Sequence, residues 1–205
     1  MQRAIMNKDQ RLKEDNSMAV ITISRQTGSL GEEIGKMVSD RLGYRLVYRE
    51  VINQAAIRAG APSVALSIID DLGIFGLAPT IKEIQAYHQA VQQVIEELAS
   101  QDNIVIIGRA GQVILRDHKD AIHVLVIGNA DKRAQRLARS QHITLRAAVS
   151  QVTASDRSRR SYLQRYYNIS WLDPLLYDLV ISTDSITPAC AAEIICNAVT
   201  RGLQA

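Results

Sequence analysis

Several features that would assign a chain to a class at once are missing from these 205 residues. No apolar run approaches the roughly 18 residues that span a bilayer, so we expect no membrane-spanning helix. Residues 1–17 are polar and charged and lack the apolar core of a secretory signal. We therefore expect a disordered extension over residues 1–17, a single domain over residues 18–205 and a cytoplasmic location.

Cysteine and histidine are also scarce. Cys190 and Cys196 are six residues apart, with neither a C-x-x-C pattern nor a histidine at ligand spacing, so we expect free, buried thiols. The four histidines show no metal-ligand spacing, and the G-x-S-x-G pattern of serine hydrolases is absent. Neither a zinc site nor a hydrolase triad is indicated.

Short β-branched runs alternate with longer helical patterns along the chain. Five apolar runs predict strands, at residues 19–24, 45–48, 104–107, 122–127 and 179–182. The runs are continuously apolar, which is typical of strands buried on both faces of a parallel sheet. The pattern predicts an α/β fold with right-handed crossovers.

The connection between the second and third predicted strands is long and helical. Ile84, His88, Val91 and Ile95 recur at three- and four-residue steps, which predicts an amphipathic helix ending near residue 100. We expect this insert, residues 49–102, to form one wall of a cleft at the carboxyl ends of the strands.

Helix-capping residues mark three later helices. Asn129 or Asp131 is expected to begin the first, and Thr144 to cap a second that runs through a cluster of arginines. Thr187 followed by Pro188 predicts the start of the last helix.

The segment over residues 19–36 is the most informative. It predicts a buried strand, a tight loop with Gly28 and Gly31, and a helix that begins near Glu32. Glycines let a backbone approach a ligand closely, and N–H groups at a helix N-terminus bind anions. The standard pattern G-x-x-x-x-G-K-[ST] fails, because Gly31 occupies the lysine position. A phosphate-binding loop and a plain strand-to-helix turn both fit.

Arginines follow the third and fourth predicted strands. Arg109 comes directly after a strand, where its guanidinium can bind a phosphate or pair with a carboxylate. Residues 130–166 carry nine basic residues against two acidic ones, a net charge of +7, whereas residues 48–103 have a net charge of −4. The nine are Lys132, Arg133, Arg136, Arg139, Arg146, Arg157, Arg159, Arg160 and Arg165.

The arginine-rich segment predicts a helix that presents Arg157, Arg160 and Arg165 together. A mobile helix of this kind closing over phosphates excludes water and stabilises transferring charge; a solvated basic face is the alternative. For the tyrosines at 162, 166 and 167, we favour packing over stacking on a base.

Taken together, these segments resemble the cytidylate-kinase-like family, relatives of the P-loop nucleoside monophosphate kinases. The resemblance covers residues 18–201 and is carried by residues 23–31 (ISRQTGSLG), 106–111 (IIGRAG), 155–160 and 171–183. It implies a P-loop NTPase-type three-layer fold with a five-stranded parallel sheet of order 2-3-1-4-5. The insert would bind the acceptor, and residues 142–170 would form an arginine-rich lid.

The resemblance also implies an activity, the transfer of a phosphoryl group from ATP to a nucleoside monophosphate, with CMP or dCMP as the default acceptor. Mg²⁺ is implied as a cofactor, with ligands that the sequence does not identify. The residues expected at the phosphates are Ser24, Arg25, Thr27, Gly28, Ser29, Leu30, Gly31, Glu32 and Arg109. Those expected to assist transfer are Arg157, Arg160 and Arg109.

Departures from the family pattern leave other functions open. The loop lysine and Ser/Thr are absent, Ala110 replaces the aspartate that follows Gly-Arg, and Tyr48 aligns with an acidic residue. These losses affect catalysis more than binding. A nucleotide- or phosphometabolite-binding module acting as a sensor or partner is therefore the alternative. Nucleic-acid binding is less favoured, because no recognised motif accompanies the basic segment. The acidic, apolar insert also fits a homodimer interface.

Overall fold

Five parallel strands form the centre of the computed structural model, which describes residues 19–48, 50–60, 80–101 and 103–202. The strands are β1 (Val20–Arg25), β2 (Arg45–Val47), β3 (Ile104–Ile107), β4 (Ala121–Ile127) and β5 (Leu179–Ser182). Their order, β2-β3-β1-β4-β5, confirms the predicted topology. The disorder expected over residues 1–17 lies outside the described residues, as do residues 61–79 of the insert.

The described helices lie between and after the strands. They are α1 (Gly31–Leu42), α2 (Glu50–Ala59), α3 (Ile81–Ala99), α4 (Gly111–Ile114), α5 (Ala130–Gln141), α6 (Leu145–Tyr167) and α7 (Pro188–Gly202). A short 3₁₀ turn, Pro174–Leu176, precedes β5. None of these helices has both the length and the apolar character needed to cross a membrane.

Local sequence explains where several of these helices begin. The side chain of Asn129 accepts a hydrogen bond from the N–H of Asp131, and that of Thr144 accepts from Ala147. Thr187 accepts from the N–H of Cys190, as expected for the start of α7. The predicted caps are confirmed, and the predicted strand ends differ from the observed ones by no more than one residue.

Apolar side chains cover both faces of the sheet, which explains why the strands are apolar throughout. On one face, Ile21 and Ile23 of β1 pack with α1 and α7. On the other face, Val20 and Ile104 pack with α2 and α3. Burial on both faces fixes the sheet as a rigid central layer, and the three-layer arrangement is the one predicted.

The cysteine prediction was wrong in part. Cys190 and Cys196 are free, but Cys190 is exposed and Cys196 is only half-buried. The reason is the register of α7, whose buried face is formed by Ala191, Ala192, Ile195 and Val199. Burial raises the pKa of the Cys196 thiol.

Two pairs of helices pack together: α2 with α3 in the predicted insert, and α5 with α6, the helix of the predicted lid. In the insert, Arg58 of α2 binds Glu97 of α3 through two hydrogen bonds of 2.8 and 2.7 Å. In the lid region, α5 and α6 pack through a small apolar cluster formed by Ala134, Leu137, Ala148 and Val152. These helices flank the edge of the sheet at which the strands end.

All five strands run in the same direction, so their carboxyl ends meet at one edge of the sheet. Arg25 is the last residue of β1, and Tyr48, Gly108, Gly128 and Thr183 each follow the end of another strand. The fold therefore gathers onto one edge the segments that the sequence singled out.

We predict that Ile21→Ala lowers the free energy of unfolding by about 2–5 kcal/mol, because a fully buried side chain of the central strand is lost. Urea denaturation measures this change. Ile57→Ala is the matched control, since the Ile57 side chain is 79% exposed and its truncation should have little effect. Equal losses in the two variants would contradict the placement of β1 at the centre of the core.

Candidate functional site

The loop between β1 and α1 has the backbone of an anion site. Gly28 and Leu30 have φ angles of 78° and 66°, in the left-handed region that favours glycine, and α1 begins directly after Leu30. No described residue accepts a hydrogen bond from the backbone N–H groups of Gly28, Leu30, Gly31 or Glu32. A row of unused donors therefore lies at the start of a helix, where the helix dipole also favours negative charge.

Gly28 is required at its position for a second reason. A β-carbon placed on it would lie 2.5 Å from the backbone carbonyl oxygen of Arg133 in α5. The loop therefore packs directly against the backbone of α5, and no side chain fits between them.

Arg133 ties the loop to its surroundings. Its guanidinium is 3% exposed and binds Asp156 of α6 through two hydrogen bonds of 3.1 and 2.7 Å. The same guanidinium donates to the carbonyl oxygens of Thr27, at 3.2 Å, and Gly128, at 2.9 Å. Because C=O and N–H point in opposite directions across a trans peptide, holding the Thr27 carbonyl turns the N–H of Gly28 away from Arg133.

Arg136 adds a second tie one helical turn further along α5. It donates to the carbonyl oxygen of Gly28 at 3.4 Å, and to the hydroxyl and carbonyl oxygens of Thr183 at 2.9 and 2.6 Å. The loop is thus linked through Arg136 to the end of β5. Two arginines of α5 occupy loop carbonyls and leave the loop N–H groups unused.

Arg159 is the arginine of α6 that reaches the loop. Its guanidinium donates to the Thr27 hydroxyl at 2.8 Å and also contacts the Ser155 hydroxyl. Arg157 and Arg160, which the sequence predicted to act at the phosphates, are exposed in the structure. A turn of the same helix thus presents one arginine to the loop and two to solvent.

Arg25 lies across the start of α1. One guanidinium nitrogen donates to Glu32 at 3.0 Å and to the Tyr48 hydroxyl at 2.8 Å, and the guanidinium carbon is 4.9 Å from the centre of the Tyr48 ring. Burial by itself raises the pKa of Glu32, but the charge of Arg25 and hydrogen bonds from Arg25 and Tyr48 outweigh it. The pKa of Glu32 is therefore below its ordinary value.

The two predicted serines use their hydroxyls inside the protein. Ser29 is fully buried and donates to the carbonyl oxygen of Gln26 at 2.8 Å. Ser24 donates to the side-chain oxygen of Gln112 at 3.0 Å, and Gln112 in turn donates to the Tyr177 hydroxyl at 3.3 Å. Both hydroxyls brace the loop and the end of β1.

A cavity of about 320 Å³ opens in front of the loop. It is lined by residues 25–28 and 30–33, by Leu137, Ser140 and Gln141 of α5, and by Arg159. Two arginines and the unused loop N–H groups therefore face one space. This arrangement suits the phosphate chain of a nucleotide.

A second group of polar side chains lies near Arg109, between α3 and α6. Tyr162 contacts Nδ1 of His88 through its hydroxyl at 3.3 Å, and the rings of His88 and Tyr166 have centroids 3.8 Å apart. The predicted packing of the tyrosines is therefore observed. Burial, and then the charge of Arg109, lower the pKa of His88 to about 4.

Several polar atoms in this group have no partner among the described residues. The Tyr87 hydroxyl and Nε2 of His88 are buried without a hydrogen bond, and no described carboxylate forms an ion pair with Arg109. Buried polar groups of this kind are costly unless a ligand satisfies them. The Tyr87–His88–Tyr162–Arg109 group is thus a candidate second subsite.

Sequence reasoning grouped Arg133, Arg136 and Arg159 only as part of a basic segment and gave none of them a role at the loop. Their contacts depend on the packing of α5 and α6 against the sheet, which spacing along the chain does not reveal. Asp156 of α6 pairs with Arg133 of α5, a contact between helices that spacing along the chain does not indicate. Across the residues that the structure describes, no cluster of three or more His, Cys, Asp or Glu side chains forms a metal site.

The chain is similar in sequence to a known protein family. A family model described as "Cytidylate kinase-like family" matches residues 20–185. A cytidylate kinase from Sulfolobus acidocaldarius is 29% identical over 184 residues, which cover 88% of this chain and 94% of the relative.

Solved structures share the fold at low identity. An uncharacterized protein from Eubacterium ventriosum superposes with a TM-score of 0.71 at 19% identity, over 90% of this chain and 99% of that one. A shikimate kinase from Acinetobacter baumannii, solved in complex with shikimate, has a TM-score of 0.55 at 13% identity, over 92% and 96% of the two chains. At these identities the likeness concerns the fold alone.

We predict that Gly28→Ala disrupts the loop and that Gly43→Ala does not. Both glycines have left-handed φ angles, which cost an L-residue about 1–2 kcal/mol, so both variants lose that amount. Only the β-carbon at Gly28 also meets a backbone oxygen, whereas nothing lies within 4 Å of one at Gly43. Gly28→Ala should therefore have a lower unfolding temperature and a lower affinity for a phosphate analogue than Gly43→Ala. Equal values in the two variants would contradict the packing of the loop against α5.

We also predict a pH effect from His88. The pKa of His88 is about 4 in the folded chain, against an ordinary value of 6.5, so the unfolded chain takes up a proton at higher pH. The contribution of His88 to stability is therefore complete above pH 6.5 and is lost as the pH falls towards 4. His88→Gln should lose less stability between pH 7 and pH 5 than the wild type does, as measured by urea denaturation. An NMR titration of the ring that gives an ordinary pKa would refute the burial of His88.

Proposed function

The chain belongs to the cytidylate kinase-like family, and from this premise we propose that it transfers the γ-phosphoryl group of ATP to a nucleoside monophosphate. CMP or dCMP is the acceptor that we expect. The observation that carries the proposal is the cavity at the carboxyl edge of the sheet, where unused loop N–H groups and arginines face one space.

The donor phosphates would lie against the loop. The N–H groups of Gly28, Leu30, Gly31 and Glu32 supply hydrogen bonds to phosphate oxygens at the positive end of α1. Arg159 already contacts Thr27 at the rim of the cavity, so a small movement brings its charge to the phosphates. In this proposal Arg157 and Arg160 are exposed residues of the same helix that approach only when α6 closes.

The acceptor would lie between α3 and α6. Arg109 binds its phosphate, because the guanidinium follows β3 at the same edge and has no described carboxylate partner. The unpartnered atoms of Tyr87 and His88 are then available to the rest of the acceptor. His88 with its low pKa is neutral at pH 7 and adds no competing charge.

The chemistry needs little from the chain beyond positioning and charge. An oxygen of the acceptor phosphate forms a bond to the γ-phosphorus, the bond to the β,γ-bridging oxygen breaks, and ADP leaves. A phosphate monoester is already mostly deprotonated at pH 7, so no general base is required. The arginines and loop N–H groups stabilise charge on the transferring group.

Mg²⁺ fits this site in the way it usually binds with nucleotides, through phosphate oxygens and one or two carboxylates. Glu32 and Glu33 are the acidic residues of the cavity wall. Because Glu32 is paired with Arg25, Glu33 is the residue that would supply the protein ligand. The ion would neutralise charge on the phosphates.

A binding module that does not catalyse is the second candidate. The absence of a lysine at Gly31 favours it, because the loop lysine normally stabilises the β- and γ-phosphates. This candidate predicts nucleotide binding without turnover.

We predict that purified protein with Mg-ATP phosphorylates one member of a panel of nucleoside monophosphates. Arg109→Ala should lower kcat/KM for that acceptor by about 10–100-fold, because a charge-assisted hydrogen bond to its phosphate is lost. A coupled assay of ADP release measures the rates of the wild type and of Arg109→Ala.

Arg201→Ala is the matched control, since Arg201 is exposed in the last turn of α7, at the opposite end of the sheet. Equal rates for Arg109→Ala and the wild type would remove Arg109 from the acceptor site. Nucleotide binding with no transfer to any acceptor at high protein concentration would favour the binding module.

A further inference from the structure

In the loop between β1 and α1, a basic residue and a glycine stand in each other's positions relative to the standard pattern G-x-x-x-x-G-K-[ST]. With Gly31 at the lysine position, the first glycine of the pattern falls on residue 25, where this chain has arginine. The position that carries a long basic side chain in the standard loop has none here. Of the two positions that are glycine in the standard loop, residue 30 carries Leu30 and residue 25 carries the long side chain of Arg25.

Packing allows a side chain at only one of the two positions. A β-carbon built on Gly31 would lie 2.4 Å from Cβ and 3.0 Å from Cγ of Arg25. Non-bonded carbon atoms normally approach no closer than about 3.5 Å. Arg25 therefore requires glycine at residue 31, and a lysine at residue 31 requires a residue without a side chain at position 25.

The Arg25 side chain extends from the loop towards the acceptor side. A β-carbon built on Gly108, the residue before Arg109, would lie 2.7 Å from Nη1 of Arg25. Arg25 also lines the cavity together with the loop and Arg159. If the loop N–H groups bind the donor and Arg109 binds the acceptor, as proposed above, the guanidinium of Arg25 lies between the two.

Part of this guanidinium is already held, and part is unused. Nη2 donates to Glu32 and Tyr48, and the side chain is only 12% exposed. Nε is buried and has no hydrogen-bond partner among the described residues, and none of them accepts from Nη1. Buried donors of a charged group are costly to leave unpaired, and paired guanidinium donors match the geometry of phosphate oxygens.

We infer that Arg25 takes the place of the lysine that the loop lacks and binds the β- and γ-phosphates of ATP from the end of β1. This inference rests on the proposed function and names a phosphate-binding residue within it. Glu32 and Tyr48 hold the guanidinium in position, and its unpaired donors, Nε and Nη1, are left to bind phosphate oxygens. The guanidinium stays protonated and contributes charge and hydrogen bonds only, so no bond is made or broken at Arg25.

The test exchanges the two residues. ATP affinity is measured by calorimetry, and transfer by ADP release, for Arg25→Gln, Arg25→Gly, Gly31→Lys and the double variant R25G/G31K. Arg25→Gln and Arg25→Gly should each weaken ATP binding by about 10–100-fold. Gly31→Lys should also weaken it, because the new side chain meets Arg25.

The double variant should recover most of the affinity that Arg25→Gly loses, since the basic group then occupies the standard position. Gly31→Lys would then weaken ATP binding by itself but restore it when Arg25 is absent. Substitutions at independent sites have additive effects and do not show this behaviour. Lys36→Gln is the matched control, because it removes one positive charge from the exposed side of α1. It should bind ATP as the wild type does.

Equal ATP affinity in Arg25→Gln and the wild type overturns the inference and leaves the proposed function intact. Absence of nucleotide binding by the wild type overturns both. If thermal unfolding shows that the double variant does not fold, Arg25→Lys decides, because it keeps the charge. Arg25→Lys should retain more ATP affinity than Arg25→Gln, and equal losses in the two variants overturn the inference.

Discussion

The buried guanidinium of Arg133 is the interaction on which the site depends. A buried charge is tolerated only when it is paired and its hydrogen bonds are satisfied, and Asp156 and two carbonyl oxygens meet both conditions. Those partners belong to α6, to the phosphate loop and to the end of β4. Because one side chain joins all three, the positions of α6 and the loop are coupled.

This coupling explains how a loop without its usual lysine keeps an open anion site. The carbonyls of Thr27 and Gly28 accept from Arg133 and Arg136, so they do not line the cavity with negative dipoles. The Ser29 hydroxyl stabilises the turn by donating a hydrogen bond to the carbonyl oxygen of Gln26. The charges of Arg133 and Arg136 thus lie behind the loop, while Arg25 and Arg159 lie on its cavity side.

Much of the fold could be predicted from the sequence, because burial on both faces leaves a strong local signal. The five apolar runs and the caps at Thr144 and Thr187 gave the observed elements, and the resemblance to a kinase family supplied the strand order. The exposure of Cys190 could not be predicted, since a rotation of about 100° per residue separates it from the buried Ala191.

Site residues were harder to predict for the same reason. The sequence brought the glycine loop, Arg25 and Arg109 to one sheet edge, because parallel strands share a carboxyl edge. It could not distinguish Arg159 from Arg157 and Arg160, because successive residues of a helix face different directions and the facing surface is set by the packing of α6 on α5. The steric exclusion between side chains at residues 25 and 31 was likewise hidden, since only the distance from a β-carbon at residue 31 to Arg25 reveals it.

The two halves of the site differ in how their polar groups are satisfied. At the loop, Arg133 and Arg136 use their donors within the protein, so this half of the site keeps its shape without a ligand. Near Arg109, the Tyr87 hydroxyl and Nε2 of His88 lack described partners, although Tyr162 and Tyr166 of α6 pack on His88 of α3. A ligand there gains hydrogen bonds that the protein does not make for itself. Under the proposed function, selectivity among acceptors is therefore expected to come from this half, and the loop is expected to supply affinity for the phosphates common to any nucleotide.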